Sequence, residues 1–166
     1  MAQRFPFQGN RMETNPSDYY SSIAEGYSEL YGQEQRKKLE IVKKRLQVKA
    51  QDKLLDIGCG TGISTAGWNC ECVGIDPSQG LLKKAKPQQG VSFIQGGAEE
   101  LPFLDKSFDI VISLTALQNF EDPEKALKEM KRVGKHSFVI SFLKKSQKRN
   151  EFEAFIRKYF AVQEVI

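Results

Sequence analysis

The chain has 166 residues, 40% of them hydrophobic, which is enough to bury a sizeable core in one domain, and its net charge of +4 does not by itself mark a nucleic-acid binder. No run approaches the ~18 consecutive apolar residues of a membrane span, and the opening segment MAQRFPFQGNRMETNPSD lacks the apolar stretch of a secretion signal, so a cytoplasmic protein is expected. The three cysteines, an odd number without an export signal, point to reduced thiols rather than a disulfide framework.

Residues 1–17 show no clear period and contain Pro6, Gly9 and Pro16, as a flexible arm or cap would. Two N-terminal helices are expected over 18–48. In the first, Tyr20, Ile23, Ala24, Tyr27, Leu30 and Tyr31 make one aromatic face; in the second, from about 33 to 48, Leu39, Val42 and Leu46 turn inward and the lysines outward. The pattern then changes to short apolar runs of strand length at 53–58, 72–76, 91–96, 108–114 and 137–143. The segments between them have helical character. The clearest is 122–133, where Asp122 can cap, Pro123 suits the first turn, and Ala126, Leu127, Met130 and Val133 form a stripe. A further helix is expected near 149–160, with a strand at AVQEVI, residues 161–166. Strands alternating with helices predict a single α/β domain over 1–166, Rossmann-like, with a mainly parallel twisted sheet and helices on both faces.

In such a sheet, ligands bind at the carboxyl ends of the strands, near the reversal of strand order. That rule brings together Asp56–Gly62 after the first strand, Asp76 at the end of the second, Gly96–Glu99 after the third and Leu114–Asn119 after the fourth. The glycine loop DIGCGTG admits two kinds of ligand. A dinucleotide wants glycine at the first, third and sixth positions and an anionic pyrophosphate on a helix N-terminus, but here the sixth position is Ile63. Asp56, just before the loop, would repel a pyrophosphate and attract a cation. S-adenosylmethionine carries a sulfonium and an ammonium, has no phosphate, and offers a ribose diol to an acid placed where Asp76 is.

The blocks LLDIGCGTG, GIDPS, GGAEELPFLDKSFDIVIS and NFEDPEKALKEMKRV, in this order and spacing, resemble class I S-adenosylmethionine-dependent methyltransferases, and most of all their ubiquinone and menaquinone biosynthesis branch. The resemblance implies that Asp56 and the backbone of Gly58, Cys59 and Gly60 hold the methionine part of the cofactor. It implies that Asp76, followed by Pro77, binds the ribose hydroxyls. The family's adenine-binding acid is replaced here by Gly97, which leaves Ala98 and Glu99 to seat the ring. Leu114 and Thr115 would line the wall beside the sulfonium. Tyr27, and after it Tyr20, would stand for the aromatic that relatives place over the cofactor. The family's sheet has seven strands, so a C-terminally shortened sheet is expected, with AVQEVI in the vacant slot or an edge open to a protein partner or a second copy.

A catalytic base is not evident. Gln118, Asn119, Glu121 and Asp122 follow the fourth strand; His136, the one histidine, precedes the fifth and so falls at the wrong end of the sheet. Cys70 and Cys72 lie at that end too, and no ligand set has zinc spacing. The acceptor is expected to be a small molecule. RNA is the second reading, because Lys131, Arg132, Lys135, Lys144, Lys145, Lys148 and Arg149 follow one another without an acid. A non-catalytic cofactor-binding subunit of a partner is the third.

Overall fold

The computed structural model describes residues 24–165, with side chains from Gly32 onward. Five strands, β1 (Lys53–Ile57), β2 (Glu71–Asp76), β3 (Val91–Gln95), β4 (Phe108–Ser113) and β5 (Gly134–Ile140), form one sheet in the order β3-β2-β1-β4-β5. Every neighbouring pair is parallel. The described helices are α1 (Ala24–Arg45), the short α2 (Gln79–Leu82), α3 (Pro123–Val133) and α4 (Arg149–Tyr159), with one 3-10 turn at Leu117–Asn119. This is the expected Rossmann-like α/β sheet, and its strand order reverses between β1 and β4.

The central strands read as apolar runs because both of their faces are covered. Leu55, Ile57 and Val111 pack against the Ala126, Leu127, Met130 and Val133 stripe of α3 and against Phe152 of α4. On the other face, Leu54, Ile110 and Ile112 lie under Leu46 and Trp68, and Leu39 and Val42 of α1 meet Leu114. Helix α3 starts where its sequence says it should: the Asp122 carboxylate accepts the Lys125 N–H at 2.9 Å and Pro123 occupies the first turn.

Four expectations are corrected. The N-terminal helices are, over the described residues, one helix that runs through Gly32 without a break. Glycine inside a helix costs about 1 kcal/mol, and a Cβ on Gly32 would make only ordinary contact with Ile63, at 3.6 Å. The fifth strand is 134–140 rather than 137–143, because α3 passes straight into it at Gly134; His136 therefore lies inside the strand, still far from its carboxyl end. Residues 161–165 form no strand. Finally, residues 58–70 link β1 to β2 through turns with no helix, since Gly58, Gly60, Gly62 and Gly67 all take positive φ (74°, 55°, 78° and 79°), which an α-helix does not admit.

No described helix is long and apolar enough to cross a membrane. Helix α4 is anchored by a single fully buried residue, Phe152, whose ring packs edge-on to Phe142 at 5.4 Å. Phe152→Ala is expected to cost about 3–5 kcal/mol, measured as the shift in the urea unfolding midpoint at unchanged slope.

Candidate functional site

The carboxyl ends of β1, β2 and β4 converge on the glycine loop. Its first turn folds back onto β2, with the N–H groups of Gly58 and Cys59 donating to the Ile75 carbonyl at 2.9 and 3.2 Å. Gly58 sits so close to the loop after β4 that a Cβ there would fall 2.4 Å from the Ala116 methyl. The glycine loop thus lies closely packed at the reversal of strand order, with residues 59–62 buried.

Two acids fix the rest of the loop. Asp76 is buried at the end of β2, where one carboxylate oxygen accepts the Gly60 N–H and the other the Ser78 N–H, each at 2.8 Å. Asp56 is fully buried, and its Oδ2 accepts hydrogen bonds from the hydroxyls of Ser64 at 2.6 Å and Thr65 at 2.7 Å. Its Oδ1 has no partner among the described residues. Burial raises the Asp56 pKa from 3.8 to about 6; the two hydroxyls oppose the shift and the charge of Asp76 adds to it. Burial also raises Asp76, against the two N–H groups that favour its ionised form. Cys59 is buried between these acids, and desolvation first, then their charges, keep its thiol protonated.

Thr115 closes the other side. It is a β-branched residue at φ 60°, a conformation that costs of order 1–3 kcal/mol and persists only where its surroundings enforce it. Its N–H donates to Ser141 Oγ at 2.9 Å, its carbonyl accepts from Gln118 Nε2 at 2.7 Å, and its Oγ1 accepts from Lys38 Nζ at 2.8 Å. The amide of Gln118 is committed on both sides, for its oxygen also accepts the Leu143 N–H at 3.4 Å. Gln118 is a strut between the loops after β4 and β5, not a base. Helix α1 roofs the cleft, with Gln35 facing Gly58, Thr61 and Leu114 across a small cavity.

Glu99 folds back toward Gly97. Its Oε1 accepts the N–H groups of Glu121 and Asp122 at 3.0 and 3.4 Å, and its Oε2 lies 3.1 Å from where a Cβ on Gly97 would be. Ala98 is buried in the core beside it, and Pro77 is exposed next to Asp76. The expected set Asp56, Gly58, Cys59, Gly60, Asp76, Pro77, Gly97, Ala98, Glu99, Leu114 and Thr115 therefore borders one end of the sheet. Tyr20 lies outside the described residues, and Tyr27 is described only as a backbone position in α1. Ser64, Thr65, Gln35 and Lys38 were not anticipated. A signal existed only for the first two, hydroxyls placed eight and nine residues after an acid that ends a buried strand. At the opposite end, Cys70 and Cys72 are free thiols, and no described group of three or more His, Cys, Asp or Glu residues could hold a metal.

Comparison with known proteins places this geometry in a family. A model described as a methyltransferase domain matches residues 55–140. An uncharacterized protein of Methanocaldococcus jannaschii is 35% identical over 136 residues, covering 80% of this chain and 53% of its own length. The demethylmenaquinone methyltransferase of Staphylococcus carnosus is 39% identical over 116 residues, covering 64% of this chain and 48% of that one. The chain thus spans about half the length of these curated relatives. A solved S-adenosylmethionine-dependent methyltransferase of Thermotoga maritima superposes with a TM-score of 0.65 at 26% identity, covering 85% of this chain and 69% of that one.

The acid at the heart of the site gives stability a pH signature. Because Asp56 has a higher pKa folded (about 6) than unfolded (3.8), the native state holds more protons between these values. Stability of the ligand-free chain therefore falls as pH rises through that window and stays lower above it, by about 3 kcal/mol at most. Asp56→Asn is expected to be more stable than the parent at pH 7 and to lose most of this slope, leaving the part due to Asp76. Urea unfolding midpoints at several pH values between 4 and 7 measure both.

Proposed function

The chain belongs to the class I S-adenosylmethionine-dependent methyltransferases, and from that premise we propose that it transfers a methyl group from S-adenosylmethionine to a small-molecule acceptor. The observation that carries this reading is Asp56, a fully buried carboxylate with a raised pKa and one oxygen lacking a partner among the described residues. Such a group calls for a cation, and a phosphate chain in its place would meet two buried acids and no helix N-terminus.

The residues present fit the cofactor. Asp56 would take its ammonium, with the backbone of Gly58, Cys59 and Gly60 alongside. Asp76 keeps lone pairs for the two ribose hydroxyls after binding its two N–H donors. Glu99, through the oxygen that faces Gly97, would accept the adenine amino group while Ala98 and Pro77 border the ring and sugar. Leu114 and Thr115 would wall the sulfur, and Tyr27 or Tyr20 would cover it. When bound, the cofactor supplies a methyl group made electrophilic by a positively charged sulfur.

The protein's share of the chemistry is then placement. Holding the acceptor atom about 3 Å from the methyl and in line with it removes much of the barrier as orientation alone. The three anchors on Thr115 and the strut at Gln118 hold that wall still, and Gln35 on α1 restricts water from above. A base would add about 10² to 10⁴, but Gln118 cannot serve and His136 is exposed on β5 at the far end of the sheet. The acceptors that fit best are those that need no proton removed by the enzyme. A small acceptor is in keeping with the menaquinone-precursor enzyme among the relatives. RNA is less favoured, because Arg132 and Lys135 of the basic run are paired with Glu129, Asp105 and Asp109 away from the cleft.

Transfer of labelled methyl from S-adenosylmethionine into fractionated small-molecule, RNA and protein extracts by the purified chain tests the activity, and its failure alongside retained cofactor binding would favour a non-catalytic subunit. Asp76→Ala is expected to weaken S-adenosylhomocysteine binding by about 1–3 kcal/mol in a calorimeter, since hydrogen bonds to a charged acceptor are lost. Unchanged affinity, or tighter binding of NAD than of S-adenosylhomocysteine, would overturn the assignment.

A further inference from the structure

The cleft is divided by charge. Asp56, Asp76 and Glu99 stand at the ends of β1, β2 and β3, while at Thr115, after β4, the charge that reaches the wall is an ammonium. Lys38 reaches from α1 to place its ammonium on Thr115 Oγ1 at 2.8 Å, in the wall where the methyl group is delivered under the methyltransferase reading, on which this inference rests. Thr115 is tied to Ser141 of the loop after β5, and Gln118 is tied to Leu143 of the same loop. Lys144, Lys145 and Lys148 follow at once, all exposed, and no acid occurs between Ile140 and Glu151. The nearest acid to Lys38 is Glu34, one helical turn away at 2.6 Å. Glu34 is 57% exposed, so solvent screens the pair and an incoming anion can displace it.

We infer that the acceptor is a small anion, bearing a carboxylate or phosphate group that Lys38 grips beside Thr115, with the lysines after β5 drawing it in. The donor half of the cleft suits a cationic cofactor and the acceptor half suits its electrostatic opposite, so the same division orients both reactants. Lys38 is a single, half-buried charge held at a strained residue, with 29% of its side chain exposed, which suits one anionic group entering a cleft. A polynucleotide would want a continuous basic track, and the pairing of Arg132 and Lys135 at the opposite end interrupts it. No covalent role falls to Lys38: it positions the acceptor, and the methyl passes from sulfur to the acceptor atom as in the reading above.

The test supplies the purified chain and methyl-labelled S-adenosylmethionine with a deproteinised, RNase-treated metabolite extract divided on an anion exchanger into retained and unretained pools. Label is expected in the retained pool. Lys38→Met is expected to cut incorporation about tenfold or more, chiefly as a rise in the apparent KM for the retained pool rather than a fall in kcat, with the salt dependence of that KM weakened, and Lys38→Arg to restore most of both. Lys144→Gln combined with Lys145→Gln is expected to raise the apparent KM for the retained pool and to weaken its dependence on salt. Label confined to the unretained pool, unchanged transfer by Lys38→Met, or label entering only RNA or protein of an untreated extract would each overturn the inference. So would intact S-adenosylhomocysteine binding with no label in any pool. Failure of the parent chain to bind S-adenosylhomocysteine would instead sink the methyltransferase reading.

Discussion

Asp56 and Asp76 put two carboxylates into nearly dry surroundings at the ends of neighbouring strands, and the cleft is built around keeping them there. Ser64 and Thr65 of the loop between them hold Asp56, while Asp76 is held by Gly60 of that loop and by Ser78 just after it. Burial without a counter-charge raises both pKa values, so the ligand-free site is under electrostatic stress. A protein that wanted only a tight turn would not bury two acids to make it. A cation bound there would offset that cost, because ligand binding that favours the ionised carboxylate returns stability to the folded state.

That constraint decides what the other elements must be. The loop needs residues that tolerate left-handed backbone and allow close approach, hence glycine at 58, 60 and 62. The far wall must be rigid without being acidic, and Thr115 meets this by taking a strained conformation pinned by Ser141, Gln118 and Lys38. Helix α1 closes the roof with Gln35 and Lys38 on one face and is itself anchored by Leu39 and Val42 against Leu114. Core packing and site geometry are thus coupled at Leu114, which belongs to both.

Much of this was legible in the sequence because it is local. The strands announce themselves as apolar runs, the capped helix 123–133 has its Asp-Pro start, and the glycine loop with Asp56 and Asp76 can be read from spacing and from the rule that ligands gather at strand ends. What was not legible depends on contacts between distant parts of the chain. Lys38 meets Thr115 across 77 residues, and although the helical period puts it beside Leu39 and Val42, only the folded chain shows what its ammonium reaches. The approach of Glu99 to Gly97 likewise depends on its side chain folding back, with its Oε1 held by the N–H groups of Glu121 and Asp122. The expected strand at 161–166 failed for a related reason: alternation in a short segment allows a strand, but a ladder needs a neighbour to pair with, and residues 161–165 have none.

The missing helix between β1 and β2 sharpens the distinction between the two ligands that a glycine loop can serve. A parallel pair needs a crossover of about a dozen residues or more, and a helix is the usual way to supply it. Residues 58–70 meet that length with turns alone, and in doing so give up the helix N-terminus whose N–H groups and dipole would attract a phosphate. The positive pole that a dinucleotide requires is therefore absent, while the negative pole formed by Asp56 and Asp76 is kept. Glycines alone make the backbone approachable to either ligand; the sign of the charge around them decides between the two. Here two buried acids end β1 and β2, and the one ammonium held at the wall after β4 among the described residues is that of Lys38.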